Sequence, residues 1–244
     1  MILSHTQIEG IAVAVTEDFN QFFFGAEADE ARDYVQATPI DQFARDYLGL
    51  EVSFAKLSQD GSICGVTAYA DTECRIEEGG EARILRLRQN QVILDESFIQ
   101  PGQVRKLCGK RRFTLAHECA HQLLYQCASD DAKVAFRGKY AAHTAYSMRD
   151  LKTREDWNEW QANALGAAIL MPQKEIDLAM WRYAKGRKLT DYEGKFTYSD
   201  RLALSLVCQS LGVSRSAAVI RLRQLGYLDE RPYAEYADPM EVWA

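Results

Sequence analysis

The stretch Arg112–Tyr125, RFTLAHECAHQLLY, decides how this chain is read, and at its centre stands His117-Glu118-Cys119-Ala120-His121. On an α-helix, residues four apart lie one turn above each other on the same face. His117 and His121 can therefore present two imidazoles to one Zn2+, with Glu118 beside them to take a proton from water at the metal. Only four histidines occur in the chain, so two at this spacing around a glutamate carry information. Two ordinary helix histidines are the plain alternative, and the flanks argue against it. Phe113, Leu115, Ala116, Leu123 and Leu124 make the helix apolar on most sides. A buried Glu118 without a role would be costly there. Cys119, an intervening position on the same helix, reads as packing.

The rest of the composition bounds the class. At 244 residues the chain can bury a substantial core, as one large domain or one domain with a small appendage. Its 47% hydrophobic and 26% charged content are those of a globular protein. A net charge of −6 gives no overall electrostatic case for nucleic acid. The six cysteines are scattered without a C-x-x-C pair, the pattern of reduced thiols. The first residues lack a basic segment and a continuous apolar run, and no stretch approaches a membrane span. A cytoplasmic protein is expected.

In chain order, Ser4-His5-Thr6-Gln7 has the form of a capping box. Ile8, Ile11, Ala12, Val15, Phe19 and Phe22 then recur at helical spacing over residues 5 to about 22. Thr38-Pro39 opens a short helix through Tyr47 that Gly49 ends. The segments 52–57, 63–70, 84–87 and 91–94 are short, β-prone and separated by turn residues, which predicts a small twisted, largely antiparallel sheet. Arg105, Lys106, Lys110, Arg111 and Arg112 form a basic cluster before the motif, read as a solvated helix start. Residues 128–150 lack periodicity and read as an irregular insertion. A second strong helix covers 155–171, stopped by Pro172, and another covers 173–185. Residues 191–195 read as a loop. The segments 199–209 and 215–225, joined by Leu211-Gly212-Val213-Ser214, read as helix, tight turn, helix. The fold class is therefore α+β, with a helical, helix-turn-helix-like C-terminal part over 199–228. The acidic tail 229–244 reads as either a docked terminus or a disordered end.

A catalytic zinc takes three protein ligands, so one must come from outside the motif. Glu159, Glu155 and His143 are the candidates. Glu159 is favoured because Asn163 lies one turn onward as a partner for a ligand histidine. Its face also continues through Ala162, Gly166 and Leu170, which let two helices approach. Glu155 is explained more simply by the helix dipole.

Together, RFTLAHECAHQLL and EWQANALGAAILMP resemble the ImmA/IrrE family of zinc metallo-endopeptidases. The resemblance extends through the leading helix, the Pro39 helix with its sheet, and the closing VSRSAAVIRLRQLGYL. It implies a zincin-like metallopeptidase domain over 1–175 and a helical extension over 176–244. It also implies Zn2+ held by His117, His121 and Glu159, and Glu118 as the catalytic base. Such enzymes cleave helix-turn-helix repressors of phage, mobile-element or stress-response genes, so an anti-repressor role follows. Three departures mark this chain: Ala120 where glycine is common, Leu165-Gly166 in place of Phe-Ala, and the long interval holding 128–150. His143, Tyr140 or Tyr146 from that insertion would donate to the oxyanion. An edge strand would take the substrate by strand addition.

Two other classes stand beside this reading. One is a DNA-binding regulator dominated by the closing helices, which salt-dependent duplex binding would reveal. The other is a zincin scaffold that captures a partner without cleaving it.

Overall fold

Ser4 starts the first helix by the expected device. Its hydroxyl accepts the Gln7 amide at 3.3 Å while the Gln7 side chain accepts the Ser4 amide at 2.9 Å. Helix α1 then runs His5–Phe24 and buries Ile8, Ala12, Thr16 and Phe19, one row along its length. The computed structural model describes residues 2–29, 34–78, 81–129, 133, 153–238 and 240. They divide into two compact units, 1–28 with 39–169 and 29–38 with 170–244.

In the first unit, Pro39 opens α2 (Ile40–Gln42), which continues as a π-turn over Phe43–Tyr47. Phe43 is fully buried and meets Phe19 edge-on at 5.1 Å. Tyr47 donates its hydroxyl to Asp18 at 2.6 Å.

Five strands follow: β1 (Glu51–Ala55), β2 (Gly65–Thr67), β3 (Thr72–Glu78), β4 (Glu81–Leu87) and β5 (Gln91–Asp95). The expectation of a largely antiparallel sheet needs correction. β1, β5 and β2 form a mixed sheet in that order. β1 is parallel to β5 from Glu51↔Gln91 to Ala55↔Asp95, and β2 is antiparallel to it. β3 and β4 make a separate hairpin, paired from Thr72↔Leu87 to Glu78↔Glu81. β5 reads Val92-Ile93-Leu94, all buried, the continuous apolar run of a central strand. Its end is tied down by Asp95, whose carboxylate accepts the Leu57 and Ser97 amides at 3.1 and 3.0 Å. Leu57, Val66, Ala68, Cys74, Ile76, Leu87 and Ile93 form the core between sheet and hairpin.

Helix α3 runs Val104–Gln126, taking the basic cluster into its first turns. Arg111 donates both guanidinium arms to the Asp41 carboxylate at 2.8 and 2.7 Å, fastening α2 to α3. From Thr114 to Leu124 every residue is buried, as its flanks demand. Helix α4 runs Arg154–Leu170, opened by Thr153 and Asp156 capping one another at 2.7 and 3.1 Å.

The second unit holds α5 (Gln173–Ala184), β6 (Leu189–Tyr192), α6 (Tyr198–Leu211), α7 (Arg215–Gln224) and β7 (Leu228–Arg231). Part of the stretch read as a loop is thus a strand, because β6 pairs in parallel with β7 from Leu189↔Leu228 to Tyr192↔Arg231. No local pattern announces a partner so far along the chain. α6 and α7 meet at 102°, the angle of a helix-turn-helix. Gly212 takes a φ of 64 at the turn, and Ser214 caps α7 through the Ala217 amide at 3.2 Å.

The arginines of α7 are engaged within this unit. Arg221 is 1% exposed and donates to the Met171 carbonyl at 3.1 Å. Arg223 pairs with Asp191 and Glu230, and Arg215 lies 5.3 Å from the Phe196 ring. The tail is docked as far as Asp238, whose carboxylate accepts the Tyr198 and Met240 amides at 2.7 and 3.0 Å. Among the described residues, no single helix is long and apolar enough to cross a membrane.

Candidate metal centre

Two faces of α3 build the centre. Thr114, Glu118 and Gln122 form a row one turn apart that lies along β2. Gln122 donates to Thr67 Oγ1 at 2.7 Å and to the Ala68 carbonyl at 3.0 Å. A β-carbon added to Gly65 would stand 2.6 Å from Glu118 Oε1. Beyond that row, Tyr125 stacks on Tyr69 with ring centroids 4.7 Å apart.

His117 and His121 lie on the other face, toward α4. The close approach is made at Gly166, where a β-carbon would stand 3.0 Å from the His117 amide nitrogen. Two turns earlier on the same helix face, Glu159 meets both rings. Its Oε2 is 3.2 Å from His117 Nε2 and its Oε1 is 3.2 Å from His121 Nε2. The two Nε2 atoms are 3.0 Å apart, with the rings nearly perpendicular at 87°. All three side chains are buried, with 0, 2 and 7% exposure for His117, His121 and Glu159.

Protons alone satisfy this cluster poorly. A pair of Nε2 atoms at hydrogen-bonding distance needs one donor and one acceptor, whereas the carboxylate asks both nitrogens to donate. One cation at the point of convergence satisfies all three groups. Donors about 2.0–2.1 Å from a tetrahedral Zn2+ stand roughly 3.3 Å from each other, close to the 3.0–3.2 Å separations seen here. Two imidazoles and a carboxylate also match the preferences of that ion. The residues present fit a metal, and among the described residues His117, His121 and Glu159 are the ones that can hold it.

The electrostatics agree. Burial pushes the Glu159 carboxyl up, but hydrogen bonds and charge from His117 and His121 outweigh it and bring it to about 2. Burial, and then the charge on Glu159, hold Glu118 well above the usual carboxylate range. Both Glu118 oxygens are without a hydrogen-bond partner among the described residues. A cation nearby would counter the upward push on Glu118.

The structure thus brings together His117, Glu118, His121 and Glu159. Asn163 stands one turn past Glu159 and is half-buried. His143, Tyr140 and Tyr146 lie outside the described residues, as does the side chain of Glu155. Sequence reasoning missed Gly65, Gln122 and Tyr69. Gly65 had a signal, a lone glycine inside a β-prone run, which often marks a close approach. Tyr69 had none. Burial, followed by the charges of Glu118 and Glu159, holds its phenol well above the ordinary tyrosine value.

No family model and no curated protein matches the chain. Among solved structures it is similar to a Mycobacterium tuberculosis transcriptional regulator, at 17% identity and a TM-score of 0.40 over 85% of this chain and 55% of that one. The chain therefore spans about half the length of that protein.

Proposed function

We propose that this chain is a zinc-dependent endopeptidase with a zincin-like fold of the ImmA/IrrE type. Its substrate in this reading is a helix-turn-helix repressor of phage, mobile-element or stress-response genes. The observation that carries the reading is the convergence of His117 Nε2, His121 Nε2 and the Glu159 carboxylate, with Glu118 buried beside them.

Bound zinc would supply a Lewis acid that brings water toward ionisation at neutral pH and polarises the scissile carbonyl. The chain's own residues do the rest. Glu118 accepts the proton of the attacking water and hands it to the leaving amine nitrogen. Its two oxygens have no hydrogen-bond partner among the described residues, so their lone pairs are open to accept it. Gln122 fixes the strand against which Glu118 rests. His143, Tyr140 and Tyr146 remain proposed donors to the developing oxyanion.

Direct reading of DNA is not part of this proposal. Arg221 is buried, and Arg223 and Arg215 are engaged by neighbours within their own unit. That leaves α7 without a row of free guanidinium groups for phosphates.

The test is cleavage of a purified helix-turn-helix repressor, with and without a chelator and with Glu118→Gln. The amide keeps the shape of the carboxylate but cannot take the proton. Cleavage that stops with chelator and in the Glu118→Gln protein supports the reading. Undiminished proteolysis by that variant contradicts the mechanism. Tight binding without any cleavage points instead to a capture module.

A further inference from the structure

We propose that Gly65 is the positioning residue for Glu118: the bare Cα of strand β2 seats the carboxylate of the proton acceptor, and any side chain there displaces it. The inference rests on the peptidase reading above.

A glycine in a strand usually weakens it, so its presence needs a cause. Backbone conformation is not the cause, because Gly65 is absent from the glycines that take a positive φ. Space is. A β-carbon at Gly65 would meet Glu118 Oε1 at 2.6 Å, Thr114 Cγ2 at 2.7 Å and Glu118 Cδ at 3.2 Å. Contacts this short are not tolerated, so something must move.

The neighbours decide what moves. β2 cannot retreat easily, because it pairs with β5 from Gly65↔Leu94 to Thr67↔Val92 and Gln122 grips Thr67 and Ala68. Helix α3 cannot retreat either, because it is buried from Thr114 to Leu124 and Gly166 lies against its backbone at His117. Thr114 is held by its hydroxyl, which donates to the Lys110 carbonyl at 3.0 Å; the outer end of the Glu118 side chain has rotatable bonds and no hydrogen bond among the described residues to hold it. A methyl group at position 65 therefore displaces the carboxylate from the place it holds against β2. The ligands themselves stay where they are.

This separates Gly65 from a residue that only maintains the fold. Loss of position in a proton acceptor lowers turnover and leaves substrate and metal binding largely intact. Gly65→Ala in the zinc-loaded full chain is expected to keep its zinc and hold KM within about 2-fold. Its kcat on the repressor should fall by roughly 10-fold or more. Its melting temperature should drop by about 5 °C in the Glu118 background. That drop should shrink when position 118 is alanine, because the two Glu118 contacts are gone and only the Thr114 methyl contact remains.

An unchanged kcat in Gly65→Ala would overturn the proposal, as would an equal drop in melting temperature in both backgrounds. If the zinc-loaded wild-type protein cleaves no repressor, the peptidase reading falls. The thermal cycle then still decides whether Gly65 seats Glu118.

Discussion

Gly166 lies directly against the main chain of His117: a β-carbon there would stand 3.0 Å from the His117 amide nitrogen and 3.1 Å from the Ala116 carbonyl oxygen. This contact sets how near α4 comes to α3, and hence where Glu159 meets the two imidazoles. Backbone atoms cannot swing aside as a side-chain tip can. Gly166→Ala is therefore expected to destabilise by about 1–3 kcal/mol and to weaken metal retention by moving Glu159. Gly166→Val should do more of both. Thermal melting with and without zinc, together with chelator competition, measures the two effects. A Gly166→Val protein as stable and as metal-retentive as the wild type would contradict this role.

The link from Asp41 to Arg111 gives a pH-dependent term. The Arg111 hydrogen bonds are the largest influence on Asp41 and hold its carboxyl below the ordinary aspartate range. A depressed carboxylate contributes stability that is full above its unfolded value and lost as pH falls through the folded one. The Asp41 side chain is 38% exposed, so solvent screening limits the pair to at most about 1 kcal/mol. Denaturant melts of wild type and Asp41→Asn should differ by a constant amount from neutral pH down to about 5. The difference should shrink below the ordinary aspartate value of about 3.9. A difference that grew on acidification would reverse the sign of this account.

Arg221 tests the second unit. Its buried guanidinium satisfies the Met171 carbonyl just beyond the end of α4. Arg221→Met keeps volume and removes the donor, leaving a buried acceptor unpaired, at a cost of about 1–3 kcal/mol. Melting should fall accordingly. Binding of the wild-type protein to a DNA duplex, titrated over salt, should show no sequence-specific component for Arg221 to alter. Specific duplex binding lost in Arg215 and Arg221 variants would favour the regulator reading instead.

The centre was more legible in the sequence than the sheet. His117 and His121 share a helix face by spacing alone, and the apolar flanks announce a buried helix. Glu159 could be favoured over Glu155 because Ala162, Gly166 and Leu170 mark a face of close approach. Pairing between distant segments was less visible. β3, TECRIEE, is charged on alternate positions and gains strand structure by pairing with β4. β6 depends on β7, which lies beyond two helices. The parallel partnership of β1 with β5 likewise leaves no local mark, because register between distant strands is set by tertiary packing. Gly65 escaped for a related reason, since its neighbour in space is a side chain 53 positions along.

The central claim is that His117, His121 and Glu159 hold one zinc, and metal content of purified variants tests it most directly. Wild type and His143→Ala should each carry stoichiometric zinc. Glu159→Ala should lose affinity by much more than the roughly 10–100-fold typical of changes to groups that only support the ligands. A His143→Ala protein that is empty beside a Glu159→Ala protein that is full would contradict the assignment.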